Sequence, residues 1–193
     1  MQCKKEDYTE GSIFHFYNRT EKGKLLFQSD EDYFYFLRKF KSNITKYPCE
    51  VYAYCLMPNH FHFCLKQISS RPAYGIFNAA MMSYTLHYNY KYNCRGHLLE
   101  KRLQSKKLKD DGYLIQLCRY IHYNPVKAGL VEDIESWKYS NYLEIIGKRN
   151  GTMFSAHLSR TYPEEFENYA GNILTYQKYL TGSEFTELLM DGE

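Results

Sequence analysis

The chain has 193 residues, 44% of them hydrophobic, which is enough for one core with a small appendage. No apolar run approaches the roughly 20 residues that span a bilayer, and the charged N-terminus lacks the apolar stretch of a secretory signal. The six cysteines show no Cys-x-x-Cys spacing, so we expect a cytoplasmic protein with reduced thiols.

The net charge of +3 hides an uneven distribution. Residues 1–149 hold 23 basic and 15 acidic side chains, whereas residues 150–193 hold 2 and 7. A basic body of this kind is typical of a protein with a polyanionic partner. The composition changes beyond Asn150, which predicts a body over 1–149 and an acidic, mainly helical appendage over 150–193.

The first predicted element along the chain is a strand over 13–18, which is rich in aromatic residues. Ser29, followed by three acidic residues, is a helix N-cap with favourable charges in the first turn. The helix ends before Pro48, and its predicted apolar positions are Phe34, Leu37 and Ile44.

Two strands over 50–57 and 60–66 follow, joined by a Pro-Asn turn. Successive side chains of a strand point to opposite faces, so His60 and His62 share one face and the intervening Phe61 lies on the other. Two imidazoles about 7 Å apart on one face can converge on a divalent metal. The simpler alternative is a strand with two polar residues facing water.

In the rest of the body, the sequence predicts a helix from Pro72 or Ala73 to about Tyr92. It then predicts an exposed strand with a loop within 95–109, followed by a third helix. Asp110 or Asp111 caps this third helix, which ends near Tyr123 before Pro125. The order β-α-β-β-α-β predicts a ferredoxin-like α/β sandwich with a four-stranded antiparallel sheet. The second helix carries a core stripe of Ile76, Phe77, Ala80, Met81 and Tyr84.

Six basic residues between positions 95 and 109 are the candidate contacts to a nucleic-acid backbone. A strand edge protected by lysines is the alternative interpretation. The six are Arg95, Lys101, Arg102, Lys106, Lys107 and Lys109.

Tyr120 and Asn124 lie one turn apart on the predicted third helix and therefore share a face. Brought against His60 and His62, they would build a recognisable site. The two histidines and Asn124 would hold Mg²⁺ or Mn²⁺, and Tyr120 would attack a DNA phosphorus to give a 5′-phosphotyrosyl link. The alternative is that Tyr120 and Asn124 only pack and cap the helix.

Several motifs give this chain a family resemblance. Residues 54–62, Tyr-Cys-Leu-Met-Pro-Asn-His-Phe-His, resemble the His-hydrophobe-His signature of single-tyrosine transposases. Residues 120–131 are similar to a run found in REP-associated tyrosine transposases, an IS200-like branch of that family. Asn18-Arg19, Gly96-His97 and residues 137–142 fit the same pattern.

The resemblance implies a ferredoxin-like nuclease that acts on single-stranded DNA near small hairpins, with a divalent metal and commonly as a homodimer. One position departs from the pattern. Many relatives carry an aromatic residue, often Tyr, where this chain has Leu103, and in some of them that tyrosine is the implied nucleophile. In the insertion-sequence branch the nucleophile is a helix tyrosine followed four residues later by Gln, which fits Tyr120 with Asn124 in place of Gln.

Three interpretations follow. The first is a single-stranded-DNA nuclease and strand transferase that uses Tyr120, with Tyr113 and Tyr123 as weaker candidates for the nucleophile. The second, which Leu103 supports, is a DNA-binding relative that has lost cleavage. The third is a ferredoxin-like RNA-binding protein whose sheet aromatics stack on bases. The pair of histidines on one face argues against the third, because a base-stacking sheet carries aromatic residues there.

Overall fold

The computed structural model of the chain describes residues 7–153 together with Ser155 and Tyr169. These residues form four strands and four helices, and a short 3₁₀ turn precedes each of the last two helices. In chain order they are β1 (Ile13–Arg19), α1 (Asp30–Ser42), β2 (Cys49–Met57), β3 (His60–Gln67), α2 (Tyr74–Lys91), β4 (Gln104–Lys107), the 3₁₀ turn Asp111–Tyr113, α3 (Leu114–Lys127), the 3₁₀ turn Ile134–Ser136 and α4 (Tyr142–Ile145).

The four strands form one antiparallel sheet in the order β2-β3-β1-β4. This order places the first and third strands at the centre, as the β-α-β-β-α-β pattern requires, and the predicted ferredoxin-like sandwich is confirmed. The predicted helical appendage falls mostly on residues 156–168 and 170–193, which lie outside the described residues, so that assignment stays a prediction.

The two faces of the sheet are covered by different helices. On one face, alternate side chains of β1 and β3 meet α1 and α2 in a core dominated by aromatic rings, including Phe14, Phe16, Phe61 and Phe63. On the other face, α3 packs mainly against β2 and β3, over Ala53, Cys55, Met57 and Cys64. The sheet is therefore the middle of three layers.

The core-facing side of α1 differs from the sequence prediction. Phe34 is 42% exposed, and the buried apolar residues of the helix are Tyr33, Phe36 and Phe40. Leu37 and Ile44 only border this core. Tyr33, Phe36 and Phe40 also follow helical spacing, so periodicity alone fits two overlapping stripes, and contact with the sheet selects the one that carries more aromatic surface.

The end of α3 also differs from the prediction. The helix continues through Pro125 to Lys127 instead of ending near Tyr123. Proline has no N–H to donate to the carbonyl of Ile121, which would normally disrupt the helix. The side-chain amide of Asn124 donates to the carbonyl oxygens of Tyr120 (2.9 Å) and, more weakly, of Ile121 (3.5 Å). This local donor partly replaces the missing backbone bond.

Residues 137–141 attach to the outer edge of β2. The Leu56 amide donates to the carbonyl of Tyr139, and the indole N–H of Trp137 donates to the carbonyl of Leu56. Asn141 accepts from the Tyr54 amide at 2.6 Å and donates to the carbonyl of Tyr52. This segment covers an edge that would otherwise expose unpaired backbone groups.

No helix in the described part of the chain is long and apolar enough to cross a membrane.

Candidate active site

His60 and His62 share the face of β3 that α3 partly covers. His60 lies opposite Arg19 and His62 opposite Tyr17 in the pairing of β3 with β1. The two imidazole rings are 5.1 Å apart between centroids and nearly perpendicular, at 85°. His62 is buried and His60 is half-buried, so the pair stands at the border between the protein interior and solvent.

Each histidine of the pair uses its Nδ1 atom in a hydrogen bond. Nδ1 of His60 donates to the side-chain oxygen of Asn59 at 2.7 Å. Nδ1 of His62 lies 3.0 Å from Nε2 of His15, a buried residue of β1. The Nε2 atoms of both histidines have no hydrogen-bond partner among the described residues. His60 therefore keeps Nε2 for a further ligand, and His62 does so when its own proton lies on Nδ1.

Burial keeps these imidazoles neutral. Desolvation, with a smaller effect from Lys106, lowers the pKa of His15 to about 3. Desolvation, with a smaller effect from Arg19, lowers the pKa of His60 to about 4. Burial holds the pKa of His62 well below its usual range, with smaller effects from His60, His15 and Lys127. Since only a neutral imidazole binds a metal, the pair is ready for this role at neutral pH.

Helix α3 brings Tyr120 against the histidines. The Tyr120 ring centroid is 5.7 Å from that of His62 and 6.4 Å from that of His15, in edge-on arrangements of 75° and 86°. Tyr120 is 7% exposed. The structure thus joins the strand motif and the helix motif, which are separated by 58 residues in the chain, into one cluster.

Asn124 lies one turn beyond Tyr120 and is buried. Its amide nitrogen donates to the carbonyl of Tyr120, which leaves the carbonyl oxygen Oδ1 as its acceptor. Lys127, three residues further along α3, is close enough to contribute to the lowered pKa of His62. This end of α3 therefore borders the histidine pair.

The residues present fit a divalent metal of the predicted kind. No three His, Cys, Asp or Glu side chains within the described ranges are grouped as a metal cluster, so the third protein ligand would be an amide oxygen. Two imidazole Nε2 atoms and the Oδ1 of Asn124 suit Mn²⁺ or Mg²⁺, with waters or substrate oxygens completing the shell. The hydrogen bonds at both Nδ1 atoms are of the type that orients metal-binding histidines.

The six predicted backbone contacts do not form one surface. Lys106 pairs with His15 across β1 and β4 and so lies on the histidine face, whereas Lys107 pairs with Phe14 and lies on the opposite face, where its ammonium group donates to Thr9. The other four are exposed: Arg95, Lys101, Arg102 and Lys109.

Two cations near the site were not among the predicted residues. Arg19 lies opposite His60, and Lys127 follows Asn124 on α3. Asn59, which fixes His60, was predicted only as part of a turn, and His15 was not among the predicted site residues. Strand alternation could have placed His15 on the face of His62, but only three-dimensional pairing shows that their nitrogens meet.

Comparison with known proteins adds to this geometry. No family model matches the chain. A Haemophilus influenzae protein whose name assigns it to the REP-associated tyrosine transposases is 28% identical over 157 residues, which cover 74% of this chain and 86% of that protein. The chain is related to the REP-associated tyrosine transposases. This confirms the resemblance that the motifs indicated.

A solved REP-associated tyrosine transposase, bound in that structure to a REP hairpin, has the same fold. The TM-score is 0.65 at 15% identity, and the match covers 81% of this chain and 96% of the other. At this identity the likeness supports the fold, and the site must be judged from the residues of this chain.

Within this transposase fold, Leu103 lies away from the histidines. Gln104 is the residue of β4 opposite Tyr17, on the histidine face, so Leu103 belongs to the other side. It is buried in the core formed with α1 and α2 and lines a groove of about 910 Å³ along α2 together with Phe77 and Met81. An aromatic residue at position 103 would enter this core and would not reach His60 or His62.

His122 has a scaffold role in this relative of the transposases. It is fully buried on α3, and its Nε2 donates to the side-chain oxygen of Asn141 at 2.9 Å. Its Nδ1 then accepts from the hydroxyl of Tyr169 at 2.6 Å. Burial lowers the pKa of His122 to about 4, so the ring is neutral and couples α3 to the segment on the edge of β2.

Proposed function

We propose that this protein is a metal-dependent nuclease and strand transferase acting on single-stranded DNA. Cleavage would proceed through a 5′-phosphotyrosyl intermediate on Tyr120, with His60, His62 and Asn124 as the protein ligands of Mg²⁺ or Mn²⁺. The observation that carries this proposal is the Tyr120 ring lying edge-on to His62 at 5.7 Å. Tyr120 is the candidate nucleophile of α3 that shares a helix face with Asn124. The contact with His62 places it next to the strand that would hold the metal.

The chemistry follows from the residues in place. The Tyr120 oxygen forms a bond to phosphorus as the bond from phosphorus to the 3′-oxygen breaks. The phenolic proton is lost to solvent, and the departing 3′-oxygen takes up a proton to become a hydroxyl. The ion would supply positive charge that polarises the phosphate and stabilises the charge developing on it. Neighbouring Arg19 and Lys106 would add to this positive field.

The phosphotyrosyl link conserves the energy of the broken phosphodiester. A 3′-hydroxyl from another DNA end can attack the same phosphorus, release Tyr120 and rejoin a strand without ATP. His60 is half-buried and His62 buried, so the site would be reached from the side of His60, by a flexible single strand. This favours a single-stranded substrate over a stiff duplex.

The DNA partner is proposed to be a single strand that carries a hairpin. The cations on the histidine face would hold phosphates next to the cleaved bond, and the exposed Arg95, Lys101, Arg102 and Lys109 would hold flanking phosphates. The REP hairpin in the related structure favours a hairpin as the recognised shape. The homodimer stays a prediction, which light scattering of the purified protein tests directly.

Two other candidates explain less of the site. A DNA-binding relative without cleavage rested on Leu103, but that residue faces the core along α2, so its identity leaves Tyr120 unaffected. An RNA-binding sheet would need open aromatic rings on the histidine face. There, α3 covers Ala53, Cys55, Met57 and Cys64, which leaves little sheet surface for stacked bases.

Nicking of a hairpin-bearing oligonucleotide tests the proposal. We expect cleavage of a 3′-labelled strand with Mn²⁺ or Mg²⁺, no cleavage with EDTA, and a labelled protein–DNA adduct that resists SDS. Tyr120→Phe should abolish the adduct and keep DNA binding, because only the attacking oxygen is removed. Tyr123→Phe, a change of the same kind on the same helix, should leave the adduct unchanged.

Three results would contradict the proposal. An adduct of normal yield in Tyr120→Phe would assign the nucleophile elsewhere. DNA binding without any metal-dependent cleavage would favour the relative that has lost cleavage, and a preference for RNA over DNA would favour the third candidate.

A further inference from the structure

His15 is a buried polar residue at the centre of the sheet. It lies on β1 opposite Cys64, diagonally across from His62 on the same face. The His15 and His62 rings are 5.2 Å apart and nearly parallel, at 21°, and Nε2 of His15 lies 3.0 Å from Nδ1 of His62. Both residues are buried, so this bond is shielded from water.

The direction of this bond decides what His62 can do. Two neutral imidazoles share one proton in an N···N hydrogen bond, so one ring donates and the other accepts. If His15 donates, the proton of His62 lies on Nε2 and blocks that atom as a ligand. If His15 accepts, His62 carries its proton on Nδ1, and Nε2 presents its lone pair.

His60 has no such choice, because its Nδ1 faces the side-chain oxygen of Asn59 at 2.7 Å and must donate. His62 carries its proton on Nδ1, as His60 does, only if His15 acts as the acceptor. The two histidines of the motif are thus oriented by different neighbours, a carbonyl oxygen for His60 and a ring nitrogen for His62.

Packing alone does not explain a histidine at position 15. Its Nδ1 is buried without a hydrogen-bond partner among the described residues, which is unfavourable for a polar atom removed from water. A phenylalanine would fill a similar volume beside Tyr17 and Tyr120, whose rings contact His15, without that cost. The property of His15 that phenylalanine lacks is the acceptor nitrogen facing His62.

We propose that His15 is a positioning residue that accepts the Nδ1 proton of His62 and so presents Nε2 of His62 to the metal. This rests on the proposed function, since it takes His62 as a metal ligand. His15 itself contacts neither the ion nor the DNA. Outer hydrogen bonds of this type change metal affinity by about 10- to 100-fold.

Titration of the whole protein with Mn²⁺, followed by the EPR signal of the free ion, tests this role without using cleavage. His15→Phe keeps the ring and removes the acceptor, so we expect Mn²⁺ affinity to fall by about 10- to 100-fold while the melting temperature is kept or raised. His15→Gln restores an acceptor oxygen and should recover most of the affinity. His122→Phe, which removes a buried histidine bonded away from the pair, should lower the melting temperature and keep the affinity.

The outcomes separate this inference from the proposed function. Wild-type affinity in His15→Phe, or an equal loss in His15→Gln and His15→Phe, would overturn the role of His15 and leave the metal site standing. A folded wild-type protein that binds no Mn²⁺ would overturn both. Histidine ¹⁵N spectra with Mg²⁺ supply a second measurement, for which we expect the proton of His62 on Nδ1; a proton on Nε2 would contradict the inference.

Discussion

The two faces of the same sheet have different roles: one forms an aromatic core and the other carries the histidines. Along β3, Phe61 and Phe63 enter a core of stacked aromatic rings under α1 and α2, while His60 and His62 face α3. Along β1, Phe14 and Phe16 alternate in the same way with His15. The strand alternation thus places apolar burial and polar chemistry one residue apart, and a rigid aromatic layer lies directly behind the histidines.

This arrangement explains how buried imidazoles can be held in place. The ring centroid of Phe61 lies 5.7 Å from those of both Phe36 and Phe77, which fixes the backbone from which His60 and His62 project. Because close packing supports a single backbone position, the site gains order from residues that never touch it. Substitutions on the two faces should therefore have separable effects.

The largest effect is expected for His60→Ala on the histidine face. Loss of a metal ligand should lower the cleavage rate on the order of a thousandfold, since a bound ion stabilises the transition state by several kcal/mol. The melting temperature should change little, because His60 is only half-buried. Single-turnover cleavage and thermal unfolding measure the two effects. If the cleavage rate fell only because the variant unfolds, the effects of the two faces would not be separable.

The neighbouring substitution Phe61→Ala should show the reverse behaviour. Removing a fully buried ring should reduce the free energy of unfolding by about 3–5 kcal/mol. Protein that remains folded at low temperature should still bind Mn²⁺. Urea unfolding gives the stability, and a loss below about 1 kcal/mol would show that the aromatic layer is less important than its packing indicates.

Leu103→Phe should have a smaller effect on stability, and substitutions at this position test whether it faces the core or the histidines. The larger side chain must enter the core along α2, where overpacking costs about 1–3 kcal/mol. Leu103→Tyr in the Tyr120→Phe background should form no DNA adduct, because position 103 faces away from the histidines. Restored adduct formation would mean that β4 can present a nucleophile to the site.

The smallest effect is expected from the adjacent pair Lys106 and Lys107. Lys106→Gln removes a charge beside His15 and should weaken single-stranded-DNA binding several-fold. It should also make the slope of log affinity against log salt shallower by about 0.7, the value for one phosphate contact. Lys107→Gln is the matched control on the opposite face and should change neither quantity. Equal effects of both substitutions would contradict the division of the basic residues between the faces.

Much of the fold followed from local patterns. Alternation at 60–63, the Pro-Asn turn and the helical stripe from Ile76 to Tyr84 gave the sheet and α2, because each pattern has one compatible structure. The predicted core side of α1 was wrong at Phe34, since two stripes fit the same helical periodicity. The predicted end of α3 was wrong because the sequence does not show that the Asn124 side chain would donate to backbone carbonyls beside Pro125.

The site was predicted less completely. His60, His62, Tyr120 and Asn124 were chosen from spacing and resemblance, and the structure brings Tyr120 against His62. The roles of His15 and Asn59 depend on which nitrogen meets which atom across a turn or between strands, and spacing along the chain does not encode that. The basic residues could not be divided between the faces without the register of β4 on β1.

Mass spectrometry of the covalent protein–DNA adduct tests the central claim most directly. The protein is incubated with Mn²⁺ and a hairpin-bearing single strand, digested with a nuclease and a protease, and the peptide that carries a nucleotide is sequenced. We expect a 5′-phosphonucleotide on the oxygen of Tyr120. A nucleotide on Tyr113, Tyr123 or any other residue, or cleaved DNA without a modified peptide, would contradict the assignment.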